Sequence, residues 1–252
     1  QRQMCIRDSF SLNRSKVLVL SEDKDIFGGE LDNTILKDQL NLMRVGEPMY
    51  VFYGYVEDGY DENGHIVYKN MDDDPAITAA DKTIIGDPNP DFLVNLTTAV
   101  SYKGFTLSAF FQSSIGNDIY SLSMAAQAYD YGYNGNTLRE VYYNHWTPEN
   151  PTAKYPNLDQ TSYKMSDRFV YDGSFVRLKN LELAYDVPCA RSKFIKRARV
   201  YVSAQNLFTI TSYPFWDPDI NANGGGSSMI QGVDSYCYPS ARTYTIGCRL
   251  TF

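Results

Sequence analysis

The sequence has no apolar run long enough to cross a membrane as a helix: its longest, MYVFY at residues 49–53, is far short of the roughly 18 residues that such a span needs. This excludes a helical anchor but not a transmembrane β-barrel, whose strands need only about 9–11 residues and alternate apolar with polar. Cysteine is scarce. The four cysteines form no CxxC pair and lie near no histidine at ligand spacing, so neither a zinc site nor a disulfide framework is implied. A basic surplus is also absent, with 23 Lys and Arg against 30 Asp and Glu and a net charge of −7, so nucleic acid is not the expected partner. With only two histidines, His65 and His145, and no GxSxG, HExxH, GxxxxGK[ST] or GxGxxG, the chain carries no catalytic signature and reads as not an enzyme. The triplet Gly224 to Gly226, followed by Ser227 and Ser228, lacks a strand-to-helix setting for phosphate and reads as a loop tip. No charged n-region precedes an apolar core, and residues 1–9 share no pattern with the rest of the chain. They read as a non-native or disordered leader, with 10–252 as the structural part.

What the sequence has is tyrosine and phenylalanine, 21 and 13 residues, which suit sheet-rich surfaces and membrane-interface girdles. Residues 92–112 (FLVNLTTAVSYKGFTLSAFFQ) alternate with period two and turn at Lys103-Gly104, predicting a hairpin of two long strands. The same alternation returns at 174–185 (SFVRLKNLELAY), 198–209 (ARVYVSAQNLFT) and 241–252 (ARTYTIGCRLTF). A soluble sandwich covers such apolar faces with a second sheet, whereas a porin-like barrel turns them to lipid and the polar ones to a wet lumen. Periodicity is compatible with both. Joins that alternate between short (103–104) and long (113–173 and 210–240) favour the barrel, because long structureless connections are uncommon in compact soluble domains. Residues 46–56 add a strand candidate and 10–20 a weaker one, for about seven passes of an all-β, antiparallel and partial transmembrane barrel.

The chain resembles the C-terminal part of the SusC/RagA family of TonB-dependent outer-membrane transporters of Bacteroidota. The resemblance rests on segments in order: VGEPMYVFYGYVEDG (45–59), IGDPNPDF (85–92), SYKGFTLSAFFQSSIGNDIY (101–120), HWTPENPTAKYP (145–156), SFVRLKNLELAYDVP (174–188), ARVYVSAQNLFTITSY (198–213) and the final Phe. It implies a cell outer-membrane location and a 22-stranded barrel with a plug. It implies as partners TonB, reached through an N-terminal part missing here, and a SusD-like surface lipoprotein that closes over the barrel. Its strands alone would consume roughly 200–240 residues, so the 252 residues are expected to be the last third or less of a barrel that imports bulky nutrients, glycan oligosaccharides foremost. The alternative is a soluble β-sandwich carbohydrate-binding module.

Three groups of residues invite a functional reading. His145 and Trp146, and Phe215 and Trp216, lie beside prolines in the second and third long loops, where aromatics either stack on substrate or pack the loop. Asn70, Asp72, Asp74, the Ala76 carbonyl, Thr78 and Asp81 fall at the spacing of a calcium loop, although Pro75 stands where that pattern wants Gly and Asp81 is shorter than the usual Glu. A solvated acidic loop is the plainer reading, and no other cofactor is implied. Thr245, Gly247, Leu250 and Phe252 resemble the C-terminal assembly signal of outer-membrane barrels, an edge strand for the barrel-assembly machinery to grip. Deleting Phe252 from the full-length protein is expected to reduce outer-membrane insertion sharply while synthesis and export persist, as read by surface labelling; unchanged surface levels would make the terminal aromatic a packing residue.

Overall fold

In the computed structural model, residues 2–32, 36–129, 136–189, 194–220 and 229–252 are described; the triplet at 224–226 lies outside them. Six strands form one antiparallel sheet: β1 (Arg2–Ser11), β2 (Phe92–Tyr102), β3 (Phe105–Ile115), β4 (Phe175–Val187), β5 (Arg197–Thr211) and β6 (Thr243–Thr251). Each pairs with its neighbours in chain order, so the sheet is an up-and-down meander with β1 and β6 at open edges. The turn between β2 and β3 places Lys103 at φ 49° and Gly104 at φ 86°, the two positive values that a type I′ hairpin requires.

Register joins the strands into rows. Met4, Val100, Leu107, Leu183, Val202 and Ile246 stand side by side, one from each strand. Every one of them is between 46% and 84% exposed. Nearer the Lys103-Gly104 turn, Tyr102, Phe105 and Tyr185 form the next row, with the rings of Phe105 and Tyr185 4.5 Å apart. The opposite face carries Ala99, Ser108, Glu182, Ser203 and Thr245 in register. An aliphatic row left uncovered across six strands, with an aromatic row at its rim and polar residues behind, is the inverse of a sandwich. It is a barrel wall seen from lipid, and the sheet is a partial, unclosed barrel.

Register shifts in β4 and β5 leave Lys179 unpaired between Leu178 and Asn180, and put Asn206 in the left-handed region at φ 51°. This bulge reverses the alternation along β4. Leu181, Leu183 and Tyr185 face outwards below it, while Val176 does so above it, in register with Ser113 and Ile210. Arg177 is thereby turned inwards.

Three expectations change. Residues 2–9 are not a leader apart from the fold but most of β1, paired with β2 over ten positions, because Met4, Ile6 and Phe10 match its outward apolar face. The weak candidate at 10–20 contributes only its first two residues to that strand. The 46–56 segment does form a strand, Val51–Gly54, but in a second sheet, so the wall holds six passes rather than seven.

That second sheet belongs to the long connections, which are folded rather than structureless. All three leave the wall at the end opposite the Lys103-Gly104 turn. Ile26–Phe27, Asn41–Met43, Val51–Gly54 and Thr83–Gly86 make a four-stranded antiparallel sheet. Val170–Asp172, Asp118–Ser121 and Val233–Asp234 make a three-stranded one, and a helix, α1 (Leu122–Tyr129), continues directly from its central strand. Phe52 and Tyr55 from the first connection, Tyr120, Met165 and Phe169 from the second and Val233 from the third share one buried hydrophobic cluster.

The outward face of the wall makes a direct prediction. Leu181→Arg, in the middle of the apolar band, is expected to cost the assembled barrel about 2–4 kcal/mol, whereas Ser203→Arg on the polar face stays within about 0.5 kcal/mol. Denaturant unfolding of the full-length protein in lipid vesicles reads both, and equal effects would contradict the assignment of faces.

Candidate functional site

The connections form a layer over one end of the wall, and a buried ion pair pins the third to the wall. Arg177, a single cation on the otherwise apolar upper part of β4, is 2% exposed. Its Nε donates to Thr209 Oγ1 (2.9 Å), one terminal nitrogen reaches Asp219 Oδ2 (3.3 Å) and the other pairs with Asp217. Asp217 in turn accepts the backbone N–H of Asp219 (2.9 Å) and of Ser240 (2.9 Å), so one carboxylate gathers the start and the end of the loop. Burial alone would push this carboxyl up, but the Ser240 and Asp219 amides and the guanidinium together hold it below the usual carboxylate range.

Trp216 stands immediately before this anchor. Phe215 packs against the loop core, and its ring stacks on that of Trp216 with centroids 4.8 Å apart and planes 16° from parallel. Trp216 itself is 57% exposed. The result is a flat aromatic platform held from below by a half-buried partner and a buried ion pair.

The other aromatic pair is arranged differently. Trp146 is buried, and its ring covers Gly64 so closely that a Cβ there would lie 2.3 Å from ring carbons. Gly64, at φ +80°, leaves space that another residue would fill. Trp146 is therefore a packing residue, and no ring face is left for substrate. His145 is half-buried, its Nδ1 lying 2.7 Å from the Tyr142 carbonyl oxygen.

The calcium-spaced loop is a chain of Asx turns. Asn70 Oδ1 accepts from the Asp72 amide (3.1 Å), Asp72 Oδ1 from Asp74 (2.8 Å) and Asp74 Oδ1 from Ala76 (3.0 Å). Asp81 is buried and accepts the Met71 and Thr78 amides, both at 2.7 Å, and these bonds hold its carboxyl low. Thr78 caps the turn reciprocally by accepting from Ala80 (3.2 Å). One oxygen each of Asn70, Asp72 and Asp74 thus serves the loop's own backbone, and among the described residues no group of three or more His, Cys, Asp and Glu side chains is placed to hold a metal ion.

On β6, Thr245 and Gly247 face inwards, and Leu250 with Phe252 is exposed at the free edge. Opposite Gly247 lies Tyr201, whose ring atoms would be 2.5 Å from a Cβ there. The glycine is covered by an aromatic ring across the strands, a pairing that fixes register.

Sequence reasoning missed two arrangements. One is the Arg177 anchor, signalled by a lone cation in SFVRL and by the acids of WDPD. The other is a buried Asp234, which accepts the Tyr213 hydroxyl at 2.6 Å and the Cys237 amide at 3.1 Å.

No family model matches the chain. It is 32% identical over 97% of its length to TonB-dependent receptor P3 of Formosa agariphila, covering 26% of that protein. To TonB-dependent receptor SusC of Bacteroides thetaiotaomicron it is 30% identical over 83% of its length, covering 20% of that protein. Its structure superposes over the full chain on the RagAB peptide transporter with a TM-score of 0.79 and 25% identity, covering 27% of that chain. The chain thus spans about a quarter of the length of the relatives it matches.

Arg177→Ala leaves Asp217 buried without its cation, a change expected to cost about 3–5 kcal/mol. Hydrogen exchange in the full-length protein should rise at residues 213–220 and 229–240. The Asp217 carboxyl is depressed on folding, so its contribution is complete above the unfolded value of about 4 and is lost as pH falls through the lowered one. The same protection should fade in strong acid, and acid-insensitive protection would contradict the anchor.

Proposed function

We propose that this chain, which belongs to the SusC/RagA family of TonB-dependent receptors, supplies part of the barrel wall and outer loop layer of an outer-membrane importer of bulky nutrients. The observation that carries the reading is the uncovered aliphatic row of six strands, Met4 to Ile246, backed by a polar face and topped by three folded connections on one side. A wall of this kind separates lipid from a wet lumen, and the layer above it is where a nutrient is first met.

The cargo we favour is a glycan oligosaccharide. Trp216 supports it, because an exposed ring stacked on a fixed second ring offers a sugar a flat apolar face with little ordering cost. The rest of the machinery in this reading is a SusD-like surface lipoprotein above the loops, TonB acting through the remainder of the protein, and the barrel-assembly machinery acting on β6. Chemistry is not part of the role: the wall and loops bind, position and enclose. A calcium ion in the 70–81 loop would bind through the side-chain oxygens that its Asx turns leave over. A peptide cargo is the second reading, favoured by the likeness to a transporter described as carrying peptides.

Uptake by the native host separates the two. Disrupting the full-length gene is expected to abolish uptake of a labelled oligosaccharide and to spare labelled peptides. Restoring it with Trp216→Ala should give binding about 2- to 10-fold weaker, the scale of one lost aromatic stack of about 0.5–1.5 kcal/mol. Loss of peptide uptake with normal oligosaccharide uptake would establish the second reading, and loss of neither would reject both.

A further inference from the structure

All three connections meet at a pocket of about 240 Å³ in the loop layer, lined by Pro88 from the first, Asn117 and Ile119 from the second and Pro218, Ile220 and Gln231 from the third. No charged side chain lines it. Its walls are fixed from behind. Pro218 follows Asp217, which Arg177 holds, and the buried Asn41 brackets the backbone of Gln231: its Oδ1 accepts the Gln231 N–H (3.3 Å) and its Nδ2 donates to the Gln231 carbonyl (3.1 Å). The two carboxamides of the lining keep groups to spare. Asn117 Oδ1 accepts the Ser114 hydroxyl (2.7 Å), which leaves its amide nitrogen, and among the described residues the Gln231 side chain makes no hydrogen bond. Nearby carboxylates are engaged elsewhere, Asp118 with the Asp87 amide (2.9 Å) and Asp219 with Arg177 and Lys179.

We infer that this pocket is a subsite for one ring of an uncharged sugar, a second contact for an oligosaccharide that stacks on Trp216. The inference deepens the glycan reading above and rests on it. The volume lies below the roughly 300–1,000 Å³ of sites for drug-sized ligands, so the pocket admits a single ring rather than a chain of them. A carboxamide sets a donor beside an acceptor, which answers neighbouring hydroxyls that are each both, while the prolines and isoleucines meet the C–H faces of the ring. A peptide side chain fits less well. An apolar one would leave the carboxamides unpaired, and a charged one would find no counter-charge. Trp216 and Pro218 are two residues apart, with at most about 7 Å between their Cα atoms, so one oligosaccharide can engage both.

Calorimetric titration of the purified full-length protein, in a detergent without sugar headgroups, tests it. The probes are neutral hexose tetrasaccharides of α and β linkage, with a neutral tetrapeptide beside them. Gln231→Met and Asn117→Leu keep the approximate size of each side chain and remove its hydrogen bonds, and Gln231→Met leaves both backbone bonds to Asn41 in place. Each is expected to weaken tetrasaccharide binding about 2- to 10-fold, the share of one hydrogen bond. Unchanged affinity in both, with Trp216→Ala still weakening it, would overturn the subsite and leave the glycan reading standing. No binding of any tetrasaccharide by the wild-type protein would overturn both, and tetrapeptide binding that the two substitutions weaken would overturn the choice of ligand. Heat-modifiable migration shows whether each variant has formed its barrel, and should Asn117→Leu fail to do so, Gln231→Met alone decides.

Discussion

A sheet that turns its apolar side chains to lipid has none left with which to build an interior, and the rest of this structure depends on that constraint. In a soluble sandwich the residues Val100, Leu107, Leu183 and Val202 would be the core. Here they are the surface, and the buried hydrophobic cluster lies in the connections instead, around Phe52, Tyr120, Met165 and Phe169. The connections therefore hold their own shape. They supply the close packing that a single-layer wall does not have, which allows loops of this length to be ordered rather than loose.

Two cores of opposite sense need a joint, and the bulge at Lys179 makes it. By reversing the alternation of β4 it turns Arg177 inwards, where the Asp217 carboxylate and the Thr209 hydroxyl await it. Breaking such a pair is far costlier than removing it whole, since one partner remains charged and dry. The pair therefore specifies a position more than it adds stability: Trp216, one residue before Asp217, is held at a defined height above the wall. A strand irregularity is thus connected, through a buried ion pair, to the presentation of the Phe215–Trp216 platform in the third loop.

Much of the wall was legible in the sequence because period two is a local property. The hairpin of β2 and β3, its turn at Lys103-Gly104 and the strands at 174–185, 198–209 and 241–252 all appear where alternation places them. What depended on distant partners was not legible. Residues 2–9 look patternless until β2 lies beside them, because Asp8 interrupts the apolar alternation of Met4, Ile6 and Phe10. The 46–56 segment has strand chemistry but no mark saying which sheet receives it. Trp146 and Trp216 look alike in sequence, each beside prolines, yet Gly64, 82 positions before Trp146, makes room to bury one of them. The 70–81 spacing fits a cation loop equally well as a run of Asx turns, because both need an oxygen at alternate positions, and the turns are what the structure shows there.

The same constraint bears on the edges of the sheet. In hydrocarbon an unpaired N–H or C=O has no water to turn to, so a wall with free edges at β1 and β6 is not a finished membrane structure. Six strands are also fewer than the eight that the smallest barrels use to enclose even a filled interior. The edges must be met by other strands, and the ring that results is wider than any these six could close. A wide ring has a lumen too large for wall side chains to fill, which fits inward faces that are polar, as at Glu182, Ser203 and Thr245. The polar inner face and the open edges are then two consequences of one geometry: the sheet is shaped as part of a barrel larger than these six strands could close.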